Sequence, residues 1–329
     1  MSQNATQRVG FFLVPGFSMM ALSAATEPLR AANRVSGRDV YSWHLLSVDG
    51  LEVSSSSGFR LVPEFSIGER GELALLIVVS SLDVTEFHDQ RVFAWLRRLA
   101  QSNCRLGAVS TGTLLLARAG LLNGYRCTIH WELRHDFAEE FPEIEATRDL
   151  FCIDRNRVTC GGGTAALDLM LALIAERHGH FIAAEVAEQF LHTRIRPPGE
   201  SQRMAVQWRY GITDRRMVRV INLMEQNIEH PLHTQTLAQI AGISRRQLER
   251  RFLGEFGKTP SRFYVELRLK HAQALLLQST DSLLAVALKC GFSSASHFGR
   301  CFRATYHETP ARVRRAGHSG VGSPAGDAL

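Results

Sequence analysis

Residues Leu237–Phe252 read LAQIAGISRRQLERRF, and this stretch decides the fold of the C-terminal part of the chain. Leu237, Ile240 and Ala241 recur at helical spacing, Gly242-Ile243-Ser244 interrupts the run, and Leu248 and Phe252, four apart, supply the inner side of a second helix. Gly242 suits a tight turn between two crossed helices, and Ser244 with Gln247 three residues on predicts a capping box. The outer face of the second helix carries Arg245, Arg246, Gln247, Glu249 and Arg250. An apolar inner face under an Arg/Gln outer face is what a helix needs to lie in the DNA major groove. A solvated basic helix on an αα-hairpin would carry the same pattern.

The pattern is repeated downstream, which separates the two readings. Leu248, Phe252, Phe256, Thr259-Pro260 and Arg262 recur fifty positions later as Phe298, Phe302, Tyr306, Thr309-Pro310 and Arg312. Gly242 and Ser244 recur at forty-nine, as Gly291 and Ser293, so one residue is inserted after the second turn. Repetition of this kind signals two copies of one supersecondary unit. Between them Thr259–Ser279, with Pro260 at a first helical position and apolar Phe263, Leu267, Ala274 and Leu275, fits one long connecting helix. Two helix-turn-helix units on a shared helix can face successive major-groove windows of double-stranded DNA.

The stretches GISRRQLERRF, GKTPSRFYVELRLKHAQALLLQS and VALKCGFSSASHFGRCFRATYHETPARVRR resemble the AraC-type DNA-binding domain, over roughly residues 213–315. The resemblance implies a helical domain that reads DNA with two recognition helices. Arg245, Arg246, Gln247 and Arg250 are the candidates in the first. Ser294, Ala295, His297 and Arg300 occupy the outward side of the second, while Arg303, Arg312, Arg314 and Arg315 are expected at phosphates.

With 329 residues the chain can build about two domains with cores of their own. Net charge is +6, but residues 1–193 hold 17 Lys and Arg against 22 Asp and Glu, and residues 194–329 hold 21 against 10. Attraction to a polyanion is thereby localised to the C-terminal part. No run of about 18 apolar residues is present, so no membrane span is expected. The start, MSQNATQRVGFFLVPGF, has no charged n-region followed by an extended apolar stretch, so no signal peptide is expected and the expected location is the cytoplasm, on the nucleoid. Cys104, Cys127, Cys152, Cys160, Cys290 and Cys301 show no metal-type spacing and read as buried thiols, and neither a metal nor a cofactor is expected.

The N-terminal half alternates strand and helix. Arg8–Val14, Val40–Val48, Leu73–Ser80 and Cys104–Val109 read as strands, with Leu73–Ser80 apolar enough for the centre of a parallel sheet. Ser18–Val35, Glu86–Gln101, Thr111–Gly120, Thr164–His178 and His180–Thr193 read as helices, and Phe151–Cys160 as a hairpin. The alternation predicts a doubly wound, flavodoxin-like α/β domain with any ligand beyond the strand C-termini. The expected division is a sensor domain over residues 1–195, a linker over 196–212 that contains Pro197-Pro198, an all-α DNA-binding domain over 213–316 opened by Asp214, and a disordered Gly/Ser/Pro-rich tail over 317–329.

Ser110 sits between the strand RLGAV and the helix that begins at Thr111-Gly112, a placement like that of a nucleophile elbow, and His130 in CTIHW is a base or hydrogen-bond partner for it. A serine before a helix is also an ordinary N-cap. The stretches VGFFLVPGFSMMALSAATEPLRAAN, AVSTGTLLLARAGLLNGYRCTIHW and VTCGGGTAALDLMLALI resemble the PfpI-type branch of the class I glutamine-amidotransferase-like superfamily, over residues 8–180. In active relatives the elbow residue is Cys with an acidic residue nearby; here the elbow is Ser110 and the aligned acid position is Ala21. The two resemblances together describe the GlxA-like branch of the AraC family, some of whose members resemble regulators of arginine, glycine-betaine or carnitine catabolism. They imply a non-enzymatic regulator, an activator that contacts RNA polymerase, controlled by an amino acid or quaternary-ammonium compound and paired as a homodimer through its N-terminal domain. Ser110 and His130 are expected to line the effector pocket, with helix N–H groups behind Ser110 for a carboxylate, Phe17 and Trp131 as aromatic contacts and Glu27 as counter-charge for a cationic nitrogen. The alternative is a Ser110/His130-dependent hydrolase of the same fold with a DNA-targeting domain.

Overall fold

Leu75–Val79, LLIVV, is buried at all five positions and forms the middle of a seven-stranded sheet. In the computed structural model, which describes residues 5–69, 71–102, 104–279 and 281–319, the strand order is Phe151–Asp154, Arg157–Cys160, Arg105–Val109, Leu75–Val79, Gln7–Leu13, Tyr41–Ser47, Phe65–Ser66. Every pairing is parallel except that of the hairpin Phe151–Asp154 with Arg157–Cys160. Strand alternation divides the apolar residues between two layers. Phe11, Leu13, Ile77 and Val79 pack with the helices Met19–Ser36, Ala165–His178 and His180–Gln189. Phe12, Leu76, Val78, Leu106 and Ala108 face the other way, against Gln90–Gln101 and Thr113–Arg118. The doubly wound α/β expectation holds, with helices on both faces of the sheet.

Several local readings shift. The helix expected over Glu86–Gln101 starts at Gln90, because Asp89 caps it by accepting from the Arg91 N–H, and Leu82–Glu86 forms a separate 3-10 turn. The last helix of this part stops at Gln189, followed by Leu191 at φ 53°, instead of running to Thr193. A small two-stranded sheet, Arg126–Thr128 with Glu145–Thr147, carries the chain up to His130.

The chain divides into two compact units, Met1–Arg203 and Met204–Leu329. The first half of the stretch expected as a linker is not loose. Arg196 donates from its backbone N–H to Asp168 Oδ1 and from Nε and Nη2 to Oδ2, and the Leu150 N–H donates to the carbonyls of Pro198 and Glu200. Its second half contains the short helix Val206–Tyr210, whose Val206 is buried in the core of the second unit.

Among its described residues that unit contains helices and no strand. Arg215–Gln226 is capped by Asp214, and its Met217, Val220, Ile221 and Met224 are buried. Thr234–Ile240 and Arg245–Phe256 form the first helix-turn-helix, Leu283–Lys289 and Ala295–Tyr306 the second, and Pro260–Gln278 connects them. The connecting helix serves two cores: it gives Phe263 and Tyr264 to the first and Leu269, Ala272, Leu275 and Leu276 to the second. Both turns place glycine in the left-handed region, Gly242 at φ 68° and Gly291 at φ 70°. The second recognition helix is capped by Ser294, fifty positions from Ser244, so the inserted residue lies inside the second turn and not after it. Phe252 and Phe302 are both fully buried, which fixes the opposite faces of their helices as the outer ones. The last helix, Pro310–Ser319, runs into the stretch expected to be disordered; residues 320–329 lie outside the described residues.

Among the described residues no helix is long and apolar enough to cross a membrane. No cysteine is paired among the six, five of which are buried.

Candidate functional site

The strands Arg105–Val109 and Arg157–Cys160 run parallel and end together, which places Ser110 and Gly161-Gly162 at the C-terminal edge of the sheet. The Ser110 N–H donates to the Cys160 carbonyl at 2.9 Å and the Ser110 carbonyl accepts from the His130 N–H at 3.2 Å. Held from both sides, Ser110 adopts φ 62°, a left-handed conformation that costs a non-glycine residue of the order of 1 kcal/mol or more. Gly162 makes room for it: a Cβ there would stand 2.7 Å from Ser110 Cβ. The elbow expected from the sequence is therefore a real backbone feature.

Ser110 is 6% exposed, and its Oγ makes no hydrogen bond to a described residue. The His130 ring is largely buried, and burial holds its pKa below the usual imidazole range against a smaller opposing pull from Glu132. Its Nδ1 accepts from the Glu132 N–H at 3.4 Å, which assigns the ring proton of the neutral form to Nε2. That tautomer can donate a hydrogen bond but cannot take the proton of a serine hydroxyl through Nε2. Ala21, the aligned acid position, is a fully buried methyl in the first turn of Met19–Ser36. The nearby Cys160 thiol is fully buried, and burial pushes its pKa up to about 12.

The remaining effector candidates separate. The Trp131 ring lies 5.7 Å from that of His130 and is 40% exposed, so these two form one aromatic wall. Phe17 is fully buried in the apolar core, where Leu13, Leu22 and Val79 also pack, and its backbone bridges to Ser55; it offers a ligand no free face. Glu27 is half exposed and engaged with Arg30 at 2.7 Å, one turn along the same helix. The helix behind Ser110, Thr113–Arg118, has six residues, and the N–H groups of Gly112 and Leu114 already donate to the carbonyls of Val109 and Thr111.

One part of this wall is not visible in the sequence. Gln202 donates from Nε2 to Thr128 Oγ1 and to the carbonyls of Ile129 and Asp149, each at 2.9 Å, and the Arg203 guanidinium lies 4.7 Å from the centre of the Trp131 ring. RIRPPGESQR reads as linker because it is polar, and its partners stand 53 to 74 positions away.

In the second unit Arg246 and Arg250 are exposed on the outer face of Arg245–Phe256. Arg245 is exposed but paired with Glu249 at 2.8 Å, and Gln247 completes the capping box by accepting from the Ser244 N–H at 2.9 Å. On the second recognition helix Ala295, His297, Arg300 and Arg303 are exposed, whereas Ser294 Oγ accepts from the His297 N–H at 3.2 Å and so serves as cap. Arg312 is exposed beside Glu308, at 3.6 Å. The two outer faces therefore differ, one bearing the guanidiniums of Arg246 and Arg250, which pair with no described residue, and the other small side chains with His297 and Arg300.

Comparison with known proteins bears on both units. Residues 7–176 match the DJ-1/PfpI family and residues 237–316 a helix-turn-helix domain family. The chain is 44% identical over 309 residues to the HTH-type transcriptional regulator CdhR of Pseudomonas aeruginosa, covering 94% of this chain and 92% of that one. This chain belongs to the AraC-type transcriptional regulators that carry a DJ-1/PfpI domain. The regulator is also 40% identical over 318 residues to the HTH-type transcriptional regulator GbdR of the same species, covering 97% and 86% of the two chains. A crystal structure of an AraC family transcriptional regulator from Pseudomonas putida matches 56% of the regulator and 99% of that chain, with 34% sequence identity and a TM-score of 0.53.

Proposed function

We propose that this regulator is a transcription activator of the cytoplasm whose DJ-1/PfpI domain binds a small nitrogenous carboxylate, an amino acid or betaine, without turning it over. The observation that carries the reading is the state of the elbow: a Ser110 hydroxyl that bonds no described residue, beside a His130 whose Nδ1 accepts from the Glu132 N–H, with Ala21 where an acid would stand. Serine needs an adjacent base to become a nucleophile, and that base needs a third group to fix its tautomer. Two donors without an acceptor base suit a ligand carboxylate, and the His130–Trp131 wall suits the cationic nitrogen of the same molecule. The DNA-reading residues we assign are Arg246, Arg250, His297 and Arg300 for base edges, with Arg303 and Arg312 at phosphates. Pairing through the N-terminal domain would set two copies on neighbouring half-sites, and RNA polymerase is the expected further partner.

A thermal-shift screen of the full chain against amino acids, glycine betaine and carnitine tests the reading, since a ligand that binds only the folded state raises its melting temperature. The expected hit is recovered chemically intact after prolonged incubation. Stoichiometric acylation of Ser110, or turnover abolished by Ser110→Ala, would transfer the assignment to a hydrolase.

A further inference from the structure

The last residues of the first unit lie across the wall that bears the effector site. Two anchors hold them. The first is Asp168, fully buried, whose carboxylate accepts three hydrogen bonds from Arg196 and one contact at 2.9 Å from His192 Nε2. The second is Gln202, whose two amide hydrogens are shared among Thr128 Oγ1 and the carbonyls of Ile129 and Asp149. Between the anchors the backbone is tied by the Leu150 N–H to Pro198 and Glu200 and by a bridge of Asp149 with Ser201.

The seat of Gln202 belongs to the effector wall. Ile129 and Thr128 immediately precede His130, and Thr128 also accepts at its carbonyl from Thr113 Oγ1, in the helix that follows the elbow. Gly161 passes so close that a Cβ there would meet the Gln202 amide at 2.5 Å, and its neighbour Gly162 is the residue against which Ser110 rests. Arg203, next along, covers the Trp131 ring. Beyond Arg203 the chain enters the second unit.

The two anchors differ in strength. Asp168 is a buried carboxylate met by a guanidinium and a backbone N–H, a charge-assisted set that is costly to break. At Gln202 the amide oxygen is buried and accepts no hydrogen bond from a described residue, which offsets part of what its nitrogen gains. A strap fixed firmly at one end and weakly at the other releases at the weak end first.

We propose that residues 196–203 are a strap that carries effector occupancy to the DNA-binding unit, with Gln202 as the coupling residue. The proposal rests on the effector reading of the Ser110–His130 wall. A ligand seated on His130 and Trp131 competes with Arg203 for the Trp131 face and shifts the strand end from which Gln202 hangs, so binding and strap release share one equilibrium. Linkage then requires that weakening the strap and filling the site change DNA affinity through the same step.

The test uses the full chain, a DNA duplex selected by the wild-type protein from random sequence, and glycine betaine and L-arginine as probes. Gln202→Ala removes the amide, and Gln202→Glu keeps its volume but cannot donate to the three acceptors. Both variants are expected to be cut faster by trypsin after Arg203 and to bind the duplex with an affinity changed about tenfold from wild type, with no probe added. A probe that shifts wild-type DNA affinity should shift that of either variant little. Wild-type cleavage and wild-type DNA affinity in both variants overturn the strap, as does faster cleavage with unchanged DNA affinity. If Gln202→Ala fails to fold, Gln202→Glu decides alone. A wild-type protein that responds to neither probe counts against those ligands, while the probe-free arm still decides the strap.

Discussion

The backbone N–H of His130 donates to the carbonyl of Ser110 across 3.2 Å, so the end of the short strand Arg126–Thr128 and the elbow of the main sheet are one mechanical unit. Burial favours the neutral His130 ring in the folded chain, which puts its folded pKa below the unfolded value of about 6.5. The stabilisation from keeping it neutral is fully present above that value and is lost as pH falls through it toward the folded pKa. The melting temperature of the wild type should therefore fall more steeply with acidification below about pH 6.5 than that of His130→Asn. His178, whose pKa burial and Arg177 also hold down, contributes the same slope to both proteins, and the difference between the two curves isolates His130.

Two adjacent glycines give a contrast at the same turn. Gly162 at φ 92° faces Ser110, where a Cβ would stand 2.7 Å from Ser110 Cβ, and Ser110 cannot retreat because its N–H and carbonyl are both bonded. Gly163 at φ 56° has nothing within 4 Å of the same hypothetical atom. Gly163→Ala should cost about 1–2 kcal/mol, the left-handed penalty alone. Gly162→Ala should cost more, about 3 kcal/mol or above, and displace the elbow. Equal denaturant midpoints for the two variants would show that the contact with Ser110 does not constrain the turn.

The parts of this fold legible in the sequence are those where one physical signal dominates. Leu75–Val79 announces a central strand because both its faces are covered, so no polar residue interrupts it. The duplicated helix-turn-helix is legible because the same inner positions must be filled twice, by Leu248 and Phe252 and again by Phe298 and Phe302. Arg126–Thr128 and Glu145–Thr147 are too short for any period to register. Phe17 shows the limit for sites: an aromatic after a strand end can point to solvent or to the core, and only packing decides. Gln202 shows another, since polar composition is shared by a free linker and by a strap whose partners lie in distant segments.

The effector reading predicts a specific loss at Ser110. Ser110→Ala removes a hydroxyl that no described residue uses, so the fold should keep its stability apart from the unchanged left-handed strain. Affinity for the carboxylate ligand returned by the thermal-shift screen should fall by about 1.5–3 kcal/mol, the worth of one hydrogen bond to a charged group. Calorimetric titration of the two proteins measures it. Unaltered affinity would remove Ser110 from the site.

The helical unit should respond core by core. Phe252 packs with Phe256 and Phe263 in the first core, and Phe302 with Phe298 and Tyr306 in the second. Truncating either to Ala leaves a cavity and should cost about 3–5 kcal/mol. Hydrogen exchange should localise the damage: Phe302→Ala deprotects Leu269–Leu276 and Val286–Ala287 before Met217–Met224, and Phe252→Ala does the reverse. Uniform deprotection by both variants would mean that the connecting helix makes the two cores a single cooperative unit.

Base reading and phosphate contact leave different signatures in salt. Arg246 and Arg250 lie exposed on the outer face of the first recognition helix, opposite buried Leu248 and Phe252, and among the described residues no acidic side chain is bonded to either. An arginine that forks onto a guanine edge is worth about 1–3 kcal/mol against the wrong base. Arg246→Ala and Arg250→Ala should each weaken binding to the selected duplex by that amount and relax preference at one position of the site. Arg245 must first leave Glu249, so Arg245→Ala should cost less. Arg303 and Arg312 stand in the last turn of the second recognition helix and on the helix after it, places that suit the backbone of the duplex. Their loss should weaken all sequences alike and lower the slope of log K against log salt by about one per residue. Titrations at several salt concentrations, on the selected duplex and on a scrambled one, separate the two classes. A reduced salt slope for Arg246→Ala with base preference intact would move that residue to the phosphates.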